Sequence, residues 1–486
     1  MVASVVMFTV VVKAEPKVTL PATERTEVIA QWEALRYGMF ISYGLGTFLE
    51  EQYGETLDAP NSAYNPTDLD VDQWVRVAKD AGMKYAVLVT RHCSGHCLWP
   101  SKFTDRTVAN SGETSDVVQL YVDACRKYGI APGLYYILGW DTYHQHRMDY
   151  DEYEEFLKNQ LTELLTNYGP IVELWLDTPK GVGLDGQARL QRIYSHCKKL
   201  QPDCLVLMNQ GSCSGEYPTS AGQRWLGWME YSKSLPGSIT VWTVDIINSE
   251  AAYPTATGHV PWMTVNEKKH YIPMEFCETI LACDGDVALP RPQGSWFYFD
   301  NARVRSAAYL KKQYDIVTGR GANLLLNVPP DKTGRIPENQ VELLMQLKKA
   351  IDADASYKSL ASGRPSLASS VWGDDHKAYG PQRAFDNDSN TRWTSSDRTG
   401  KGWLKVDLGE HREIGQIGLS EAGGHVQTFE LQYNNGSGWK TFVKGKEIGY
   451  KWQKKFSKPI KARKFRLLIT KAKDAVAIWE FRLFEK

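Results

Sequence analysis

The sequence predicts two domains, an α/β domain of the (β/α)8-like barrel class followed by an all-β sandwich of the jelly-roll kind. Its 486 residues exceed what one compact core usually holds. Short apolar runs alternate with amphipathic stretches through the first 350 residues, a pattern typical of parallel sheets covered by helices. From residue 371 onward, short strands and turns replace this alternation.

The apolar runs of the first domain predict barrel strands. They are nearly continuous in apolar residues, as expected for strands that are covered on both faces, and about 340 residues suit a barrel with insertions. The predicted strands are 38–44, 85–90, 133–138, 171–176, 204–209 and 323–328. The predicted helices between and after them include 71–81, 116–128, 150–168, 188–200 and 338–352. Residues 211–273 are rich in Gly, Ser, Pro and Trp and leave the sixth strand unplaced.

The second domain is predicted from residue 371 to residue 486, with 353–370 as a Ser/Ala/Gly-rich linker after a catalytic domain of residues 15–352. Apolar and polar residues alternate in 403–408 and 464–470, and Asn434 to Ser437 forms a turn signal. These features favour an antiparallel β-sandwich.

The amino-terminal residues 1–14 predict a signal peptide. They contain an apolar run from Val2 to Val12, followed by small residues at the positions that a signal peptidase reads. We therefore expect a secreted or periplasmic protein, with a buried amino-terminal strand as the alternative. No later run is long enough to span a bilayer.

The charge and cysteine counts exclude some kinds of partner. The chain has 57 Lys and Arg against 57 Asp and Glu, so its overall charge does not favour nucleic acid or an anionic membrane as a partner. None of the eight cysteines has the paired spacing of a zinc site. We expect no metal in the catalytic domain, and mostly free, buried thiols.

Asp177 is the clearest candidate for a catalytic group. It directly follows the apolar strand 171–176, and the catalytic groups of such barrels lie at the carboxyl ends of strands. A helix cap is the alternative role for a carboxylate in this position. His92, Tyr135 and Trp140 follow or end the two preceding strands and predict a hydrogen-bonding and stacking surface for a sugar ring.

A carboxylate nucleophile also needs a second acid that protonates the leaving oxygen. Glu275, after the long irregular region, is the predicted acid/base. Glu278, three residues further on, is its alternative, and Glu230 is a weaker one.

Several ordered segments resemble the successive motifs of glycoside hydrolase family 29, the retaining α-L-fucosidases. They occur in the family's order over about 300 residues. The segments are Tyr37–Gly44, Tyr64–Thr67, Lys84–Leu88, Cys97–Ser101, Leu134–Tyr136, Glu173–Asp177 and Asn323–Pro330.

The resemblance implies an exo-acting hydrolase that releases terminal α-linked L-fucose from glycans and needs no cofactor. It assigns the nucleophile to Asp177 and places Trp175, His92 and Tyr135 around the sugar. Glu275, followed by Trp296-Phe-Tyr298, resembles the acid/base segment of the subfamily selective for α-1,3/1,4-linked fucose, and the resemblance also makes Trp296 a candidate to bind the substrate.

Two positions depart from the family pattern. Ser42 and Cys93 stand where the family has histidines that bind fucose hydroxyl groups, and losing such partners weakens sugar discrimination. Ser42 itself and His96 are candidates to replace them. The alternatives are a retaining glycosidase for another L-galacto sugar, such as α-L-galactose, and a non-catalytic glycan-binding protein.

The carboxy-terminal domain resembles the discoidin, or coagulation-factor type C, fold, a possible carbohydrate-binding module. The resemblance rests on Arg383–Trp393 and Gly402–Gly409. Asp386, Asp388 and Asn390 are candidate ligands of a structural Ca²⁺. Their alternative role is to shape an Asx-rich turn.

Overall fold

The first domain is a closed barrel of eight parallel strands. The structure, a computed structural model, describes residues 20–52, 56, 58–179, 186–209, 242–250, 253–254, 258–265, 267–282, 295–355, 359–388, 391–396, 400–449 and 451–485. The strands are β1 (Tyr37–Ile41), β2 (Tyr85–Arg91), β3 (Ala131–Ile137), β4 (Glu173–Asp177), β5 (Leu205–Met208), β6 (Ile246–Glu250), β7 (Met274–Thr279) and β8 (Asn323–Asn327). Each strand pairs with its neighbours in sequence, and β8 closes on β1.

Alternation of side chains along each strand builds two separate apolar layers. Phe40, Val87 and Trp175 point into the barrel, whereas Met39 and Leu88 belong to the layer between the strands and the helices. Because successive residues of a strand point to opposite faces, a continuous apolar run supplies both layers at once. Burial on both faces explains why these strands lack the polar alternation of a half-exposed sheet.

Within the ranges given above, eight helices flank the barrel strands. Asp70, Asp116 and Ser306 each accept a hydrogen bond from a backbone N–H of the helix that follows, and Asp149 forms a capping box with Glu152. The helices are α1 (Glu27–Leu35), α2 (Leu45–Leu49), α3 (Val71–Asp80), α4 (Val117–Tyr128), α5 (Tyr150–Asn167), α6 (Gly186–Leu200), α7 (Ala307–Gly319) and α8 (Glu338–Ala355).

The second domain is an all-β structure of antiparallel strands. The strands are β9 (Ser366–Ala368), β10 (Trp393–Thr394), β11 (Gly402–Ala422), β12 (Val426–Asn434), β13 (Trp439–Lys446), β14 (Trp452–Ala472) and β15 (Ala477–Phe484). A short helix, α9 (His376–Tyr379), precedes β10. The first half of β11 pairs with β9 and the end of β14, and its second half pairs with β15 and the start of β14. The long strands β11 and β14 thus take part in both layers of a sandwich, and the two layers enclose one apolar core.

The fold class predicted from the sequence is confirmed, with differences in the strands and in the linker. The unplaced sixth strand is Ile246–Glu250, and Met274–Thr279 is a further strand that the prediction lacks. Part of the predicted linker packs with the second domain, because the backbone N–H of Leu360 donates to the carbonyl of Leu483 and Ala361 lies in the second core. The predicted signal peptide lies outside the described residues. No helix within the described ranges is long and apolar enough to cross a membrane.

Free, buried thiols are present at five described positions, as predicted. They are Cys97, Cys125, Cys197, Cys204 and Cys277. Cys93 is also buried. Cys213 and Cys283 lie outside the described residues.

Candidate active site

A cavity opens at the carboxyl ends of the barrel strands and contains Asp177. It encloses roughly 690 Å³, including its open mouth, a size typical of small-molecule sites. Its walls carry aromatic rings together with a few polar groups. The lining residues are Phe40, Ser42, Gln52, Val89, His92, Cys93, Tyr135, Trp140, Trp175, Asp177, Thr178, Asn209, Glu250 and Trp296.

Three donors hold the Asp177 carboxylate. The Tyr135 hydroxyl donates to Oδ2 at 2.6 Å, and Asn209 Nδ2 donates to Oδ1 at 2.7 Å. The backbone N–H of Thr178 also donates to Oδ1, at 2.7 Å. Burial, followed by the charge of Asp177, raises the pKa of Tyr135 well above its ordinary value. Tyr135 therefore stays a donor, and Asp177 presents an oriented, hydrogen-bonded carboxylate to the cavity.

Aromatic rings form the floor beside this carboxylate. Tyr135 stacks on Trp175 with centroids 5.5 Å apart and on His92 at 5.7 Å. Phe40 packs against Trp175 at 5.4 Å and against Trp296 at 6.0 Å. The structure thus brings together four residues that the sequence predicted around the sugar: His92, Tyr135, Trp175 and Trp296.

Glu250 is the other described carboxylate that lines the cavity. Its Oε2 lies 3.3 Å from Asn209 Nδ2, the same nitrogen that donates to Asp177. Asn248 Nδ2 in turn donates to Asn209 Oδ1 at 2.9 Å and orients the amide. The sequence reasoning missed Glu250, and its only signal was a position at the end of the strand that could not be placed.

Glu275 does not line the cavity. It lies fully buried inside the barrel, where Trp175 Nε1 donates to its Oε1 at 2.8 Å and the Tyr85 hydroxyl donates to its Oε2 at 2.7 Å. Glu275 is the second residue of β7, so it lies near the amino end of the strand. The geometry does not support its predicted role as acid/base. Its contacts instead fix the indole of Trp175, whose ring faces the cavity.

Glu275 forms a buried acid pair with Glu173. Burial raises the pKa of Glu275 to about 7, and burial followed by the charge of Glu275 raises the pKa of Glu173 well above its ordinary value. The indole of Trp32 donates to Glu173 Oε2, and Oε1 has no hydrogen-bond partner among the described residues. Burial without further donors therefore favours the protonated, neutral form of Glu173.

Glu278, the first alternative for the acid, does not line the cavity either. Glu278 points to the helix layer, where it accepts from Arg305 at 3.3 Å and from Tyr309 at 3.2 Å. Burial raises its pKa, which Arg305 partly offsets. Glu230 lies outside the described residues.

The two positions that depart from the family pattern, Ser42 and Cys93, both line the cavity. His96 does not. It borders an adjoining small cavity, packs against Tyr64 in a tilted arrangement with ring centroids 5.1 Å apart, and shares a hydrogen bond with Ser111. Burial, followed by Arg106, lowers the pKa of His96 to about 3, so it is neutral. His96 therefore does not compensate for the missing histidines at the sugar.

Trp140 stands on the rim of the cavity and is 46% exposed. Trp140 has φ of 56° and Thr178 has φ of 49°, both in the left-handed region that bulky and β-branched residues avoid. The Thr178 hydroxyl bonds to both the N–H and the carbonyl of Gly139, the residue before Trp140. Thr178 thus ties the loop that carries Trp140 to the residue that follows Asp177.

The amino-terminal domain matches the family model described as alpha-L-fucosidase over residues 42–221. That range contains β2 to β5, Asp177 and Asn209. The chain is also 29% identical to Alpha-L-fucosidase 1 of Arabidopsis thaliana, over 94% of this chain and 86% of the relative.

The barrel domain is thus an α-L-fucosidase domain of glycoside hydrolase family 29.

Solved structures of the family share the complete two-domain arrangement. A Bacteroides thetaiotaomicron protein provisionally named α-L-fucosidase superimposes with a TM-score of 0.68 and 27% identity, covering 98% of this chain and 99% of that one. A Ruminococcus gnavus family 29 fucosidase in complex with fucose shares the fold, with a TM-score of 0.63 and 22% identity over 98% and 97% of the chains. Through its barrel domain, the α-L-fucosidase-like chain is a glycoside hydrolase.

The second domain of the chain matches the F5/8 type C model over residues 367–481. The discoidin resemblance predicted from the sequence is thereby confirmed.

Proposed function

We propose that the protein is a retaining exo-α-L-fucosidase in which Asp177 attacks the anomeric carbon of terminal fucose. The observation that supports this most directly is the Asp177 carboxylate, oriented by Tyr135, Asn209 and the Thr178 N–H in a cavity walled by aromatic rings. A fixed carboxylate beside a stacking floor suits the two displacements of a retaining glycosidase. The fucose-bound Ruminococcus gnavus relative supports the choice of sugar.

In the first displacement, an Asp177 oxygen forms a bond to the anomeric carbon while the bond to the leaving oxygen breaks. A protonated carboxylic acid donates its proton to that oxygen. The same group, now ionised, removes a proton from water, which attacks the anomeric carbon and releases Asp177. These two displacements use only protein side chains and water, so we propose that the reaction needs no cofactor.

Two carboxyl groups are candidates for the acid/base that protonates the leaving oxygen and then activates water. Glu250 lines the cavity and shares the Asn209 amide with Asp177, which keeps the two carboxylates close together. Glu230 belongs to the segment 210–241, which begins directly after Asn209 at the carboxyl end of β5. The acid is the one of the two whose glutamine variant loses more activity on substrates with poor leaving groups than on substrates with good ones.

Product stereochemistry and a substrate panel test the proposal. The wild-type protein should hydrolyse 4-nitrophenyl α-L-fucoside, and proton NMR should show the α-anomer of fucose as the first product. First formation of the β-anomer would contradict a retaining mechanism. Turnover of the α-L-galactoside without turnover of the fucoside would assign the enzyme to that sugar instead, with Ser42 and Cys93 as the altered pocket positions.

Trp140 offers a stacking surface for the group attached to fucose. Trp140→Ala should lower kcat/KM for a fucosylated trisaccharide about tenfold, because aromatic stacking contributes roughly 0.5–1.5 kcal/mol. Turnover of α-L-fucosyl fluoride, which has no second ring, should stay within about twofold of wild type, and Trp140→Phe should keep most of the trisaccharide activity. Equal losses on both substrates would place Trp140 over the fucose ring itself.

We also propose a structural Ca²⁺ in the second domain, held by Asp386, Asp388 and Glu480, with Asn390 outside the described residues. Glu480 is 2% exposed, and neither carboxylate oxygen has a hydrogen-bond donor among the described residues, although Arg482 Nε lies 3.5 Å from Oε2. Burial, partly offset by Arg482, and then the charges of Asp386 and Asp388 raise its pKa to about 7. Because Arg482 is 42% exposed, a cation or a proton would complete the neutralisation of Glu480. The described carboxylates do not by themselves form a metal-binding cluster, so backbone carbonyls would complete the coordination shell.

Chelation tests the calcium proposal. EDTA should lower the Tm of the second domain by roughly 10 °C, since a cation at about 100 times its Kd contributes ~2.7 kcal/mol. Added Ca²⁺ should restore the Tm, and Glu480→Gln should remove the response to both. An EDTA-treated wild-type protein with unchanged Tm would contradict the calcium site and leave Arg482 and a proton to balance Glu480. Millimolar Ca²⁺ is available outside the cell, in keeping with the proposed export and removal of residues 1–14.

A further inference from the structure

The neutral overall charge of the chain conceals two domains of opposite sign. Residues 1–370 contain 35 Lys and Arg against 43 Asp and Glu, whereas residues 371–486 contain 22 Lys and Arg against 14 Asp and Glu. The excess is concentrated between Lys440 and Lys473, where 13 basic residues accompany a single acidic one, Glu447. A charge run of this density is an electrostatic footprint that the whole-chain balance does not reveal.

Eight lysines of this segment are exposed and have no carboxylate partner within the part of the chain that the structure describes. The other cations are engaged, as shown by Lys444 with Glu430, Lys451 with Asp315 and Arg463 with Asp407. We name the eight residues the lysine surface: Lys440, Lys446, Lys454, Lys455, Lys458, Lys461, Lys471 and Lys473.

The densest part of the lysine surface lies on the first half of β14. Lys454, Lys455, Lys458 and Lys461 fall within eight residues of extended strand, or about 23 Å. Neighbouring ammonium groups are thus spaced on the order of one Debye length at physiological salt, about 8 Å, so their potentials add. This half of β14 pairs with β11 on one side, and its described residues show no strand partner on the other.

Lysines on edge strands also protect a sheet against aggregation. That role accounts for individual lysines along an unpaired edge, but it does not require acidic residues to be nearly absent from the whole segment 440–473. Thirteen basic residues against one acidic residue, on a chain that is otherwise net acidic, point to a polyanionic partner. All eight unpartnered cations are lysines, which act as point charges and lack the planar fork with which arginine binds phosphate or reads bases.

We propose that the lysine surface binds a polyanionic polysaccharide, one that carries carboxylate or sulfate groups along its chain. The inference rests on the proposed function, since the partner is the glycan class on which the barrel acts. Binding of the second domain to an anionic glycan would raise the local concentration of terminal fucose at the cavity. In this proposal the β-sandwich binds the anionic groups of the glycan, and the barrel binds its neutral terminal sugar.

Salt-dependent binding of the full-length protein tests this proposal. At about 50 mM salt we expect retention on polygalacturonate or on a sulfated polysaccharide, the two arms that separate carboxylate from sulfate, and no retention on neutral dextran. The variant K454Q/K455Q/K458Q/K461Q should bind at least about tenfold more weakly. Its binding should also depend less on salt, because a surface that makes fewer ionic contacts releases fewer counterions.

A matched variant keeps the same change in total charge but alters the barrel. K79Q/K84Q/K102Q/K349Q replaces four exposed lysines that have no carboxylate partner in the described ranges, and it should bind like the wild type. Unchanged binding by the β14 variant, absence of wild-type binding to both polyanions, or tighter binding to duplex DNA or to phosphatidylserine vesicles would each overturn the proposal. Turnover of 4-nitrophenyl α-L-fucoside, measured in parallel, should be unaffected in both variants and reports separately on the proposed function.

Discussion

Replacement of Asp177 by alanine will remove nearly all hydrolysis of aryl α-L-fucosides, with a loss in kcat/KM of at least about 10³-fold. The carboxylate is the group that three donors orient toward the cavity, and its removal leaves nothing to form the covalent intermediate. Steady-state kinetics on 4-nitrophenyl α-L-fucoside measures this loss.

Azide distinguishes a lost nucleophile from a damaged fold. In D177A, a small anion can enter the space of the missing carboxylate, so azide should restore release of nitrophenol and yield a fucosyl azide of inverted configuration. Asp203→Ala, at an exposed position before β5, controls for the loss of one negative charge and should retain wild-type rates. Retention of most activity by D177A would refute the assignment.

Replacement of Glu250 by glutamine should lower kcat/KM by about 10²-fold or more, since Glu250 is the second carboxylate of the cavity and a general acid contributes roughly 10²- to 10⁴-fold. The size of the loss should depend on the leaving group if Glu250 is the acid. A poor leaving group such as a sugar needs protonation, whereas dinitrophenol does not. The same loss on both substrates would mean that Glu250 binds fucose.

Glu275→Gln is the matched control, because it also exchanges a carboxyl for an amide but lies inside the barrel. We expect a loss of less than about tenfold, equal for good and poor leaving groups. A strong dependence on the leaving group in Glu230→Gln, absent from the other two variants, would assign the acid to Glu230. The same behaviour in Glu275→Gln would contradict the geometry of the barrel interior.

The parts of the fold that apolar patterning encodes could be predicted from the sequence. Six strands were predicted because their residues are apolar on both faces. The run Ile246-Ile-Asn-Ser-Glu250 was not, because Asn248 and Glu250 serve the cavity and interrupt the apolar pattern. The polar residues that form the site are therefore the same ones that break the apolar pattern from which the strand would be predicted.

The candidate site could be predicted where a polar residue ends an unmistakable strand, as at Asp177. Glu275 was chosen because it follows a long irregular region, yet the structure places it four residues before the end of β7. Position within a strand, rather than presence on it, decides whether a carboxyl faces the cavity or the barrel interior. Contacts such as Asn209 to Glu250 join residues 41 positions apart, and no local pattern encodes them.

The buried pair of Glu173 and Glu275 has a consequence for enzymology. Because the pKa of Glu275 lies at about 7, its ionisation falls in the range in which a catalytic acid is usually titrated. Loss of that proton places a negative charge at the edge of the Trp175 indole, beside its Nε1. A bell-shaped rate profile of this enzyme would thus contain an alkaline limb to which a non-reacting group contributes, and the profile of Glu275→Gln is the proper baseline for assigning the acid.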